Sequence, residues 1–177
     1  MKRLLIIACL VFCGQTAFAQ QPSALTSDNT RTAMNAVYFM FIGSGLHVSL
    51  HYERFITNDI SIRAGIGATG FNYSPAPSSP DNVGYQWVPV VPFSVNYFIG
   101  EGKDRLELGV GGFVHISDYD NEPMFPGFSS SKLKGTLTVG YRYQPLNGNF
   151  NAGIGVTPVF DAQHIAPWMG FYLGYGF

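Results

Sequence analysis

His115-Ile116-Ser117 sets an imidazole and a hydroxyl two residues apart. On a strand that spacing puts both side chains on one face, and a serine with a base in reach is a nucleophile for ester hydrolysis. A triad also needs an acid to orient the histidine, and the nearest candidate is Glu122. His47 and His51 offer metal ligation instead. Four residues along a strand span ~13 Å, too far for one ion to hold both without a third element. No metal or cofactor is therefore expected. The remaining chemistry is ionic and belongs to Glu53, Arg63, Glu107 and Arg142. These charges read either as an ion gate or proton path, or as a salt-bridge network filling an interior. Charges taken out of water need partners, which favours the network.

The elements that must position these groups read as strands. Period-two alternation predicts eight of them, at Asn35–Gly43, Leu46–Ile56, Ile60–Tyr73, Tyr85–Ile99, Arg105–Ser117, Lys132–Gln144, Phe150–Phe160 and Trp168–Phe177. No segment has helical periodicity. If Ile56 pairs with Ile60 around Thr57-Asn58-Asp59, Glu53 falls opposite Arg63, and Glu107 and Arg142 lie at similar height on neighbouring strands. Short joins (57–59, 100–104, 145–149) alternate with longer ones (74–84, 118–131, 161–167), and only Gly43-Ser44-Gly45 departs from the pattern. Outer-membrane barrels are built this way, with short periplasmic turns, long external loops and both termini on the periplasmic side.

Composition points to the same place. Lys2 and Arg3, the apolar run Leu4 to Phe12 and Ala17-Phe18-Ala19 have the layout of a signal peptide over residues 1–19. Residues 20–34 read as a loose leader and 35–177 as the barrel. Both cysteines, Cys9 and Cys13, fall inside the signal peptide, so the mature chain has no thiol chemistry and no disulfide. Without Lys2 and Arg3, 8 basic and 11 acidic residues remain, a net charge of −3 with no basic cluster, which excludes nucleic acid as a partner. Charged residues make up 12% of the chain, where a soluble surface carries ~25–35%.

The alternation shows two faces on each strand, and their composition decides which one points inward. Ile60, Ile62, Ala64, Ile66 and Ala68 share one side of the third strand, against Ser61, Arg63, Gly65, Gly67 and Thr69. Turning the apolar side inward would leave an exterior of glycine with few charges. Turning it to lipid lets small and polar residues fill a narrow lumen. Tyr52, Tyr97, Tyr141, Tyr143, Phe150, Tyr175 and Phe177 would then form a girdle at the short-turn end, and Tyr85, Trp87, Phe160 and Phe171 one at the other. The prediction is an all-β, eight-stranded antiparallel up-and-down transmembrane β-barrel, monomeric, with a plugged lumen.

Three stretches, "NYFIGEGKDRLELGVGG" (96–112), "GYRYQPLNGNFNAGIGVTPVF" (140–160) and "PWMGFYLGYGF" (167–177), resemble small outer-membrane β-barrel proteins common in Bacteroidetes. Most members of that group have no assigned activity. The resemblance implies outer-membrane lipids, lipopolysaccharide and the barrel assembly machinery as partners, with Leu173, Tyr175 and the terminal Phe177 as the assembly signal. His115-Ile116-Ser117 separately resembles the H-x-S element of the outer-membrane lipid A deacylases. That element continues with Asn where this chain has Asp118, and in those enzymes the pair faces lipid, whereas the alternation here turns it inward. The function expected is structural or loop display, without enzymatic activity. A lipid A-modifying ester hydrolase, and a narrow passage or binding pocket for a small ligand, are the alternatives.

Overall fold

Alternation becomes a closed wall. The computed structural model describes residues 30–73, 84–116, 128 and 131–177. The expected signal peptide, the leader as far as residue 29, Ser117, Asp118, Glu122, Met124 and Phe125 lie outside them. The strands are β1 (Asn35–Gly43), β2 (Leu46–Phe55), β3 (Ile60–Tyr73), β4 (Gly84–Ile99), β5 (Asp104–His115), β6 (Leu133–Tyr143), β7 (Asn149–Val156), β8 (Val159–Phe160), β9 (Ile165–Ala166) and β10 (Met169–Gly176). Each of β1 to β6 pairs antiparallel with the next, β6 pairs with β7, β7 with β10, and β10 returns to β1. The ring is complete, so the wall has no open edge.

Ten strands make eight staves. β6 holds Val139 against Val156 of β7 and Gly135 against Phe160 of β8 in one unbroken register. The continuous strand expected over 150–160 is thus interrupted, at Thr157-Pro158. Pro158 has no N–H to give to β6, although its carbonyl still accepts from Leu137 N at 3.3 Å. The Thr157 N–H continues the ladder to the eighth stave by bonding the Trp168 carbonyl, 2.7 Å away. β9 and β10 likewise form the eighth stave on either side of Pro167-Trp168.

The short joins lie at one end. Ile56 N bonds Ile60 O at 2.8 Å, which closes the 57–59 turn and sets Glu53 opposite Arg63. In the turn after β6, Gly148 takes φ +93° and Asn149 +83°, the left-handed region that glycine and asparagine tolerate. Both chain ends of the barrel meet here: Asn35 and Phe177 exchange backbone hydrogen bonds of 2.9 and 2.8 Å. Residues 31–34, counted with the loose leader on sequence, are tied to this end. Thr32 and Ala33 donate to the Leu146 carbonyl at 3.0 Å, and Phe55 N donates to Met34 O at 2.8 Å. The wall itself begins at Asn35, as expected, and these four residues form a strap bonded to its short-turn end.

The outer face is apolar around the whole ring. Ile66 is 67% exposed, Val110 58% and Ile154 63%, while Arg63, Glu107 and Arg142 on the other face are almost completely covered. Such an exterior fits hydrocarbon, and the closed ring pairs the strands with one another as lipid requires. Tyr52, Tyr97, Tyr141, Phe150, Tyr175 and Phe177 stand exposed towards the short-turn end, with Tyr143 half-buried. Trp87 and Phe171 are exposed further up, and Phe160 is half-buried beside Gly135.

Candidate functional site

The candidate site is the lumen, and its fill changes along the axis. At the short-turn end Phe55 and Phe98 pack with ring centroids 5.3 Å apart. Arg105 lies beside them, donating to the Asn58 carbonyl at 2.6 Å and to Asp59 Oδ1 at 3.0 Å. Arg31 caps this layer, its guanidinium 3.6 Å above the Phe55 ring.

The next layer brings together the four charges picked from the sequence. Arg142 Nη2 meets Glu53 Oε2 at 2.5 Å, and its Nη1 lies 3.5 Å from Glu107 Oε2. Arg63 Nη2 bridges Glu53 Oε1 at 3.1 Å and Glu107 Oε1 at 2.5 Å. Two cations and two anions alternate in a closed square within the barrel. Their register creates it: Glu53 faces Arg63 across β2–β3, and Arg142 lies one inward position beyond Gly140, which faces Glu107 across β5–β6.

Polar neighbours complete the layer. Ser61 donates to Glu53 Oε1 at 2.6 Å, Asn96 Nδ2 reaches the same oxygen at 3.4 Å, and the Tyr172 hydroxyl donates to Glu107 Oε2. The rings of Tyr38 and Tyr172 lie 5.1 and 5.0 Å from the Arg142 guanidinium carbon, within cation–π range. Ser61, Asn96, Tyr38 and Tyr172 were not singled out from the sequence. The inward parity of their strands was the available signal. A side chain on Gly153 would collide with the Tyr172 ring, so glycine on β7 makes room for a tyrosine from β10.

Above the square comes a short polar layer, with Ser49 Oγ 2.7 Å from His51 Nε2 and the His51 ring stacked on Tyr38. His47 lies higher and accepts from the Gly70 N–H at 3.2 Å through Nδ1, which is also 2.7 Å from Thr69 Oγ1. The two histidines thus serve separate neighbours. Among the described residues no group of three His, Cys, Asp or Glu side chains gathers as metal ligands do.

The long-loop end is filled with hydrocarbon. Leu46, Val88, Val90, Phe113, Val159 and Phe128 form one buried cluster, with Ala166 and Trp168 against it. Leu46 takes φ +68°, which interrupts the alternation of β2 and turns its side chain into the lumen. Phe128 comes from the join between β5 and β6. It packs over the mouth, with Lys134 Nζ 5.5 Å from its ring centre and the His164 ring stacked on it. Lys134 also forms an ion pair with Asp161 at 3.0 Å, both side chains covered, an interaction the sequence reading missed. His115 is buried on the inner face beside Val90, and its proposed partner Ser117 lies outside the described residues.

One small internal cavity lies between these layers among the described residues. The cavity bounded by Met40, Glu107, Thr138, Thr157 and Tyr172 holds about 10 Å³, at the lower limit for one water molecule. A larger concavity of about 460 Å³ lies on the outer face between Ile60, Val95, Tyr97, Leu108, Val110 and Leu137.

No protein-family model matches the chain, and no curated protein does. Among solved structures, it is similar to the solid-state NMR structure of outer membrane protein AlkL in DMPC lipid bilayers. Identity is 15%, the match covers 90% of this chain and 94% of that one, and the TM-score is 0.42. A ring of eight antiparallel staves, apolar outside and lined inside by small and charged side chains, makes the chain an all-β, closed eight-stranded antiparallel barrel.

Proposed function

We propose that the protein is an integral outer-membrane barrel of the Bacteroidetes kind whose lumen is closed to ions and which has no enzymatic role. Its task is structural: it holds the loops 74–84 and 118–131 at the cell surface, embedded among phospholipid and lipopolysaccharide. The short-turn end is periplasmic, residues 1–19 are the cleaved export signal, and Leu173, Tyr175 and Phe177 present the final strand to the assembly machinery. The exposure of those three side chains along β10 supports that last point.

One observation carries the reading: two unlike fillings lie in series. An ion crossing the lumen would have to break the Glu53–Arg63–Glu107–Arg142 square and then enter the dry cluster around Phe113 and Phe128. Each step alone is costly, because the first leaves buried charges unpaired and the second strips water from the ion. The burial of His115 on the lumen side supports the non-enzymatic reading, since a lipid ester in the surrounding membrane has no path to it.

Reconstitution into a planar bilayer tests this. Protein that runs fast on gels unboiled and slow after boiling should insert without discrete conductance steps. Stable unitary currents from such protein would overturn the closed lumen and support the narrow passage. Outer-membrane fractionation checks the location, and recovery in the soluble periplasmic fraction would refute it.

A further inference from the structure

Arg31 is 4% exposed, and its Nε, Nη1 and Nη2 each lie buried without a hydrogen-bond partner. The other buried arginines at this end of the lumen each face a carboxylate, although Nε and Nη1 of Arg63 and Nε of Arg142 also lack a hydrogen-bond partner. Arg63 and Arg142 share Glu53 and Glu107, and Arg105 has Asp59 and the Asn58 carbonyl. Among the described residues, the Arg31 guanidinium has the Phe55 ring beneath it and no hydrogen-bond partner. A ring face attracts a cation but accepts none of its in-plane N–H bonds.

We infer that Arg31 is the anchor of a site for a small oxyanion at the short-turn mouth of the barrel. The class is phosphate or carboxylate, whose paired oxygens match the planar fork of a guanidinium. Around Arg31 lie Arg105 and, one layer deeper, Arg142. Burial, together with these two cations, pushes the Arg31 guanidinium down to about 10, against the pull of Glu53 and Asp59. It is still protonated at neutral pH, so the fold holds a cation where its surroundings oppose one. An arriving anion would relieve both penalties. The strap that carries Arg31 is bonded to the turns around it, with the Thr32 and Ala33 N–H groups sharing the Leu146 carbonyl, Phe55 N donating to Met34 O and Arg31 N donating to Asn58 Oδ1 at 3.1 Å.

The test uses the full chain folded in detergent micelles, with inorganic phosphate titrated against chloride at constant ionic strength. Phosphate should raise the midpoint of the heat-induced gel shift saturably, by about 2–4 °C. R31Q should lose that response, and R54Q, which alters an exposed arginine on the outer face, should keep it. If R31Q does not fold, R31K takes its place: it keeps the charge but loses the fork, so the response should weaken. An unresponsive parent, or an undiminished response in either Arg31 variant, overturns the site.

Discussion

Replacing Arg142 with methionine should destabilise the folded barrel by about 3–5 kcal/mol, the usual cost of removing one partner from a buried ion pair. Arg142 gives Glu53 its closest contact, Nη2 to Oε2 at 2.5 Å, and also faces Glu107. Without it two buried carboxylates are left to Arg63 alone, supported by Ser61, Asn96 and Tyr172. The double variant E53Q/R142M restores the count, with Arg63 facing Glu107 one to one at 2.5 Å. It should be more stable than R142M although it carries one more substitution, and the coupling between the sites should reach several kcal/mol. Urea unfolding from phospholipid vesicles, followed by the fluorescence of Trp87 and Trp168, measures both. Additive losses, or a cost below about 1 kcal/mol for R142M, would mean that the square contributes little and that water serves these charges.

Val110→Arg is the second large effect, and it tests the face assignment itself. Val110 lies midway along β5, 58% exposed, between Val95 on β4 and Leu137 on β6. An arginine on the lipid face near the bilayer centre costs about 2–4 kcal/mol. On a water-exposed strand the same change would fall within about 0.5 kcal/mol. The nearby exchange Leu106→Arg, four residues closer to the short-turn end, should cost less because the side chain reaches the headgroups. Equal and small effects at both positions would mean that this face meets water, and the membrane reading would fall.

Much of the wall was legible because a strand writes its two faces into the chain at a period of two. The extents expected for β1 and β3 agree with those found, and most others differ by a residue or two at their ends, while the eighth stave gains Ile165–Ala166 within the join expected at 161–167. The departures are local and have causes. Pro158 has no donor and interrupts the seventh stave, and residues 31–34 look polar and unpatterned but bind the Leu146 and Phe55 backbone. The pairing of Glu53 with Arg63 was readable too, since a three-residue turn fixes the register of a hairpin.

What the sequence determined by itself is the cross-section: eight staves, apolar outward, small and charged inward, with connections that mark the two ends. Those are consequences of alternation and turn chemistry, which act between neighbours in the chain. The tertiary structure alone decided what meets across the lumen. Tyr172 of β10 reaches Glu107 of β5, Arg142 of β6 reaches Glu53 of β2, and Phe128 and Lys134 seal the mouth with Asp161. Contacts across a lumen depend on the stagger accumulated round the closed ring, and no local period records that sum.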